Sequence, residues 1–362
     1  MDPNYAGENN SCISAMNHLL GPVHSAVLKA ALELNLFEII AKASPIGVSA
    51  SDVASELPTQ HPELPRRLDR MLCLLASNSL LACSTCTNED GHIERLYQLS
   101  PAGQYFVKDE NKGSLAFLST FFSHRVILLN LVMFVVFVSL NFKEILCDFD
   151  KGVFEKVHGV PIYEGIQTDP TLNNIFNIAM ANLGIIEMNK ILETYAGFEE
   201  ISSLVDVGGG IGQNLNMIIS KYPSIKGINF DLPHVIQNAP NYPGIQLLEG
   251  DMFECVPKGG AIILKAVLHN WSDEKCIKIL TNCHKALPQN GKVIIVDIIM
   301  PEVVHSTEAD RMATGFDNLM YLDGGIERTE KQFENLCKYS GFSHFHVASR
   351  VLSTLGVIEY YK

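Results

Sequence analysis

Apolar residues recur at helical spacing near the start of the chain, where Leu19, Leu20, Val23, Val27, Ala30, Ala31, Leu34, Phe37 and Ile40 fall on one face of a 3.6-residue repeat. This predicts an amphipathic helical start from Ser14 to Ala41. Ser49 to Leu81 reads as short helices punctuated by Pro58, Pro62 and Pro65, and two strand-like runs flank the polar turn Asn88-Glu-Asp-Gly91. Helices plus a hairpin predict a winged-helix-like layout. From about residue 200 the pattern changes to short apolar runs separated mostly by helical stretches, at 204–207, 225–230, 245–248, 261–267, 292–298, 345–351 and 356–361. That alternation predicts an α/β domain with a mostly parallel sheet and crossover helices. Only a few residues separate the last two runs, which predicts a hairpin and one antiparallel strand at an edge. The expected division is 1–160 and 161–362.

The first apolar run of the second part leads into Leu-Val-Asp-Val-Gly-Gly-Gly-Ile-Gly at 204–212, with Gly208, Gly210 and Gly212 alternating. A glycine turn between strand and helix receives a nucleotide-like cofactor outside the carboxyl ends of a doubly wound sheet. The third glycine comes one residue earlier than in G-x-G-x-x-G, which argues against a pyrophosphate ligand. Asp231 ends the next apolar run, where an acidic side chain accepts hydrogen bonds from ribose hydroxyls. NAD and S-adenosylmethionine both carry that ribose. Gly250-Asp251-Met252-Phe253 follows the third run and sets a carboxylate beside apolar and aromatic residues, which suits an adenine edge and its faces. Strand-end core packing is the plainer, less favoured reading of Met252 and Phe253.

Composition narrows the class. The 362 residues carry 27 Lys and Arg against 40 Asp and Glu, a formal charge of −13, with no basic cluster to neutralise phosphates. Nucleic acid is therefore not an expected partner. No basic and apolar leader is visible in Met1 to Asn10, so a cytoplasmic location is expected. The nine cysteines are scattered, as reduced thiols are. Cys83 and Cys86 form a lone C-x-x-C without the second pair that zinc needs. Val126 to Leu140 is apolar apart from Asn130 and Ser139, but fifteen helical residues span about 22 Å, short of a ~30 Å hydrocarbon core. A buried helix is expected there, and no membrane partner.

His269 follows the fourth run at the carboxyl edge, where an imidazole can serve as general base. A lone histidine there reads also as a capping or core residue. Taken together, 204–212, Gly227-Ile-Asn-Phe-Asp231-Leu-Pro-His, Gly250–Phe253 and Leu268-His269-Asn270-Trp271-Ser272-Asp273-Glu274 resemble the plant small-molecule O-methyltransferases, nearest to the caffeic acid/5-hydroxyferulic acid enzymes. The resemblance covers nearly the whole chain, including Ser25 to Ala41 and Gly325-Ile-Glu327-Arg328-Thr329. It implies a class I methyltransferase Rossmann-like fold, an N-terminal dimerisation domain that also lines the substrate site, and a homodimer.

The resemblance further implies S-adenosyl-L-methionine as cofactor, with Gly208 and Gly210 at its methionine portion, Asp231 at the ribose, Asp251, Met252 and Phe253 at the adenine and Lys265 near that ring. Trp271 either covers the adenine or packs. Asp297 and Glu327 are implied to flank His269 as catalytic partners, with Asn270 beside it. The family usually has Glu at 297 and Asp at 270. Ile162, Ile166, Phe176, Met180, Leu183, Leu319 and Met320 are implied around a small aromatic phenol. Where lignin-precursor enzymes carry histidines, this chain has Ile166 and Leu183, which favours a compact phenol such as a hydroxycoumarin or furanocoumarin, of the kind bergaptol O-methyltransferases take. No metal is expected, because no carboxylates cluster for magnesium. Two other readings stay open: an NAD-dependent oxidoreductase, and a dimeric homologue that binds S-adenosylmethionine but is catalytically impaired.

Overall fold

The computed structural model describes residues 13–59, 61–87, 93–109, 111–123, 155, 159–160, 162–321 and 324–362. The apolar segment 126–140 lies outside them. The chain divides into two compact units, Met1–His124 and Arg125–Lys362.

The first unit contains helices α1 (Gly21–Glu33), α2 (Leu36–Lys42), α3 (Ala50–Glu56) and α4 (Leu64–Ser77), the antiparallel pair β1 (Leu81–Thr87) and β2 (Ile93–Leu99), and α5 (Leu115–Ser123). Ser49 starts α3 with a reciprocal capping box to Asp52, which satisfies two otherwise orphaned donors. Leu36, Phe37, Ile40, Leu68, Leu72, Leu75 and Leu81 bury together with Tyr97, whose hydroxyl donates to Asp69 Oδ1 at 2.6 Å. Cys83 and Cys86 stand opposite Tyr97 and Glu94 on one strand. Three apart on a period-2 strand, they point to opposite faces.

The second unit opens with α6 (Ile162–Thr168) and α7 (Pro170–Thr194), then runs β3 (Ser203–Val207), α8 (Gln213–Lys221), β4 (Lys226–Asp231), α9 (Pro233–Ile236), β5 (Ile245–Glu249) and β6 (Ala261–Lys265). It continues through α10 (Asp273–Ala286), β7 (Lys292–Met300), α11 (Glu308–Tyr321), β8 (Arg328–Thr329), α12 (Glu330–Tyr339), β9 (His344–Val351) and β10 (Leu355–Tyr361). The strand order is β5-β4-β3-β6-β7-β10-β9, with the two-residue β8 beside the end of β7. The expected reversed strand is β10, antiparallel to both β7 and β9. It sits one place in from the edge that β9 forms, because the final hairpin inserts its second arm against β7. Strand β6 stops at Lys265, two residues before its apolar run ends, since Ala266 turns to φ 54°. That left-handed conformation is uncommon for a residue with a Cβ.

Alternation along the strands loads both sheet faces. Val205, Val207, Ile262, Leu264, Val293 and Ile295 pack against Cys276, Ile279, Leu280, Phe333 and Leu336 of α10 and α12. Leu204, Ile263, Ile294 and Val296 pack against Met188 and Ile191 of α7 and Leu215 and Ile218 of α8. Helix α7 is the one described helix long and apolar enough by length and composition to cross a membrane. Its second half packs Met188 and Ile191 into the core, and 39% of its apolar window is buried.

Candidate active site

The chain runs from β3 outward to β4 and β5 on one side, then crosses back to place β6 on the other side of β3. A crevice for ligands forms at such a switch, outside the carboxyl ends of the strands. The glycine turn lies there. Gly208, Gly210 and Gly212 have φ of 71°, 59° and 83°, a region that side-chain-bearing residues avoid. A Cβ on Gly209 would stand 2.1 Å from Asn229 Oδ1 and 2.7 Å from Asp206 Cγ. The Gly210 N–H donates to Asp231 Oδ2 at 2.8 Å, its carbonyl accepts from Asn229 Nδ2 at 2.8 Å, and the Gly250 N–H donates to the Asp231 carbonyl at 3.0 Å. The ends of β3, β4 and β5 are thus tied together through Asp231.

Three buried oxygens around this turn, Asp206 Oδ2, Asn229 Oδ1 and Asn214 Oδ1, have no hydrogen-bond partner among the described residues. Such atoms are costly unless something supplies donors. Burial pushes the Asp206 carboxyl up to about 7, with Asp231 adding and Lys265 opposing. Orphaned acceptors beside an open glycine backbone fit a ligand rich in donors, as the amine and ribose of S-adenosylmethionine are.

At the end of β5, Asp251 Oδ1 accepts the Phe253 N–H at 2.8 Å. Asn282 Nδ2 donates to the carbonyls of Met252 and Phe253 at 3.0 and 3.1 Å. Phe253 meets Trp271 edge-on, centroids 5.0 Å apart, and both are half-buried against the core. Lys265 Nζ is held at 2.5 Å by Glu187 Oε2 of α7, a partner that sequence reading missed. No local motif marks a carboxylate in the middle of an apolar helix as a lysine's partner 78 residues away.

His269 stands on a 3-10 turn, Leu268–Asn270. Its Nδ1 lies 2.8 Å from Glu327 Oε1, and the Glu327 side chain is fully buried. A carboxylate only accepts, so the Nδ1 proton is fixed and Nε2 is left as the basic atom. Burial opposes charging the ring, but the Glu327 hydrogen bond and the charges of Asp297 and Glu327 outweigh it, and the pKa is raised above the ordinary 6.5. Asn270 Nδ2 donates to the Ala266 and Val267 carbonyls at 3.2 and 3.4 Å, tying the turn back to β6.

Asp297 is buried on β7, and neither carboxylate oxygen has a hydrogen-bond partner among the described residues. It bears on His269 by charge, without the hydrogen bond that Glu327 makes. Burial pushes its carboxyl up to about 7, eased by His269 and opposed in that easing by Glu327. An acid raised in the folded state costs stability as pH climbs from its ordinary 3.8 to about 7, because the unfolded chain releases the proton first. Asp297→Asn is therefore expected to raise Tm at pH 8 by about 4 °C or more and to change it little at pH 4. A Tm difference that fails to grow between pH 5 and pH 8 would count against this account.

Phe176, Met180 and Leu183 fall on one face of α7 with Glu187, at spacings of four, three and four. Ile166 is buried on α6, and Leu319 and Met320 are half-buried on α11. Met320 comes beside the His269 segment: a Cβ on Gly325 would touch both the His269 carbonyl oxygen, at 2.6 Å, and Met320 Cβ, at 3.2 Å. Ile162 begins α6 and is half-buried. Among the described residues no group of three His, Cys, Asp or Glu could hold a metal ion.

Residues 141–343 match the family model of an O-methyltransferase domain, and residues 16–109 that of an O-methyltransferase dimerisation domain. The chain is 46% identical over 366 aligned residues to a caffeic acid 3-O-methyltransferase from Prunus dulcis, covering 100% of this chain and 97% of that one. Against the Rosa chinensis enzyme of the same name the identity is 47% with the same coverage. Among solved structures, human N-acetylserotonin methyltransferase in complex with SAM shares the fold, with a TM-score of 0.74, 20% identity and coverage of 100% of this chain and 98% of that one.

Proposed function

Because this chain belongs to the O-methyltransferase family of the plant caffeic acid 3-O-methyltransferases, we propose that it methylates a phenolic hydroxyl of a plant small molecule, using S-adenosyl-L-methionine and His269 as general base. The observation that carries this reading is the Glu327–His269 hydrogen bond just after β6, the neighbour of the strand β3 that leads into the glycine turn.

Asp231 and the glycine turn would hold the ribose and methionine portions, and Asp251, Met252, Phe253 and Lys265 the adenine, with Trp271 against Phe253. Bound S-adenosylmethionine supplies an electrophilic sulfonium methyl for in-line transfer. The chain's own part is to orient the phenol and take its proton at His269 Nε2 while Glu327 steadies Nδ1. A phenol near pKa 10 and an imidazole near 6.5 differ by about 3.5 units, roughly 5 kcal/mol against full proton transfer. The raised His269 pKa narrows that gap.

Phe176, Met180, Leu183, Leu319 and Met320 would clamp a flat ring, with Ile162 and Ile166 completing an apolar wall. That lining favours a phenylpropanoid or a compact coumarin or furanocoumarin phenol. The enzyme would act as a cytoplasmic homodimer through the first unit, where Met16, Leu19, Leu20 and Val23 form an apolar row that is exposed in the single chain, Leu19 by 80%.

The deciding experiment incubates the purified full chain with methyl-labelled S-adenosylmethionine and caffeic acid, 5-hydroxyferulic acid, hydroxycoumarins, furanocoumarin phenols and flavonoids. Mass spectrometry then identifies a product. One labelled methyl ether is the expected outcome. Binding of S-adenosylmethionine by calorimetry with no product from any phenol would favour the impaired homologue, a reading to which the unpartnered Asp297 lends support.

A further inference from the structure

Arg328 is the largest fully buried side chain among the described residues. A guanidinium cannot shed its charge, so burying it is costly unless every direction it points is answered. Here each is. Nη1 donates to the Leu268 carbonyl at 2.9 Å, Nη2 to the Trp271 carbonyl at 2.7 Å and Nε to Asp273 Oδ1 at 2.9 Å. The two carbonyls bracket His269. Two more bonds join the same segments, since the Ile326 N–H donates to the His269 carbonyl at 2.8 Å and Glu327 takes Nδ1. Residues 326–328 therefore grip the segment at the backbone carbonyls of Leu268, His269 and Trp271 and at the imidazole.

The turn needs such a grip. It spans only three residues, too few to hold its own geometry. It follows Ala266 in the left-handed region, a conformation that persists only where the surroundings over-determine it. We propose that Arg328 is a positioning residue for the base: its guanidinium fixes the backbone that carries His269, while its neighbour Glu327 fixes the ring. The proposal rests on the reading of His269 as base, yet it can be tested without turnover.

The charged groups that act on His269 are Glu327 from the β8 segment, Asp297 on β7 and Lys265 at the end of β6; Arg328 binds the carbonyl of the preceding Leu268, and Glu187 of α7 pairs with Lys265. Loss of the Arg328 grip lets the turn drift from Glu327. The His269 pKa then falls toward its ordinary 6.5. Losing the Arg328 charge alone would act in the opposite sense, by ceasing to oppose a cationic ring. The direction of the shift thus separates positioning from charge.

The test follows the ring by NMR of histidine-labelled full-length protein, with the His269 signal assigned from its absence in His269→Gln. In Arg328→Ala and Arg328→Lys the His269 pKa is expected to fall, and kcat to drop about 100-fold with little change in acceptor KM, the scale of a misplacement near 1 Å. Lysine should not rescue, because one ammonium cannot reach both carbonyls and Asp273. Free guanidinium at millimolar concentration should restore at least about tenfold of the Arg328→Ala activity, which a purely structural role would not allow. An unchanged or raised His269 pKa in a folded variant would overturn the proposal.

Should both variants be recovered unfolded, Asp273→Ala removes the solvent-facing anchor of the guanidinium, at the cost of one acidic residue in the first turn of α10. In protein that remains folded by circular dichroism it is then expected to lower kcat about three- to tenfold, and an unchanged kcat would overturn the proposal. If the wild-type chain methylates no phenol, the proposed function fails, while the NMR shift still decides whether Arg328 positions the imidazole.

Discussion

His269→Gln is expected to lower kcat about 10²–10⁴-fold, the range a positioned general base contributes. Dissociation of S-adenosylmethionine should barely change, because the glycine turn, Asp231 and Asp251 belong to β3, β4 and β5 rather than to this turn. Glutamine keeps a polar side chain in the site but has no basic nitrogen. In the wild type, kcat/KM should rise with pH as the ring loses its proton, with the acid limb above pH 6.5 because the folded pKa is raised. Glu327→Gln removes the first of the effects that raise it, so its acid limb should move to lower pH while kcat also falls through lost orientation. Product formation by timed mass spectrometry across pH 5 to 9 reads both. A drop in kcat below tenfold for His269→Gln would mean that another group or water takes the proton.

At the other end of the sheet, Glu359→Ala is expected to cost about 3–5 kcal/mol of stability and to leave kcat at 25 °C within about twofold. Glu359 lies on β10 opposite Ile294, early in β7 and three residues before Asp297. It is buried and collects three donors: Lys292 Nζ at 2.5 Å, the Tyr195 hydroxyl at 2.6 Å and the Tyr361 hydroxyl at 2.7 Å. Removing it leaves the Lys292 ammonium in a largely buried place without its counter-charge. Burial alone would raise the Glu359 carboxyl, but the Lys292, Tyr195 and Tyr361 hydrogen bonds outweigh it and hold the pKa below 4.5. A depressed acid stabilises above its unfolded pKa and loses that effect as pH falls through the folded value. The deficit of Glu359→Ala should therefore be full at pH 7 and shrink below about pH 4.5. Urea midpoints at pH 7 and pH 4 measure it. Equal deficits at both pH values, or a loss of turnover in the folded variant, would contradict this division between a catalytic edge and a stabilising one.

The glycine turn was legible because its positive φ angles are a property of the residues themselves. The positions of Asp231 and Asp251 at the ends of β4 and β5 were legible for a related reason: strand ends can be counted from apolar runs. The extent of β6 was misjudged, since the run to Val267 is apolar throughout and nothing in it announces the bend at Ala266. Asp297 and Glu327 were both expected to flank the ring, Asp297 reading almost as readily as a plain strand-end carboxylate, yet only Glu327 hydrogen-bonds it. Asp at 297 is one methylene shorter than the family's usual Glu, and that reach is decided in three dimensions.

The sequence by itself determined the alternation of strand and helix, the family and the type of cofactor turn, because these depend on side-chain period and on conformations available to single residues. Only the tertiary structure decided which groups act on one another. Glu327 meets His269 across 58 residues, Glu187 meets Lys265 across 78, and Arg328 reaches Leu268 across 60. Each pair is brought together by a sheet whose strands pair out of sequence order, and no local propensity encodes a contact of that range.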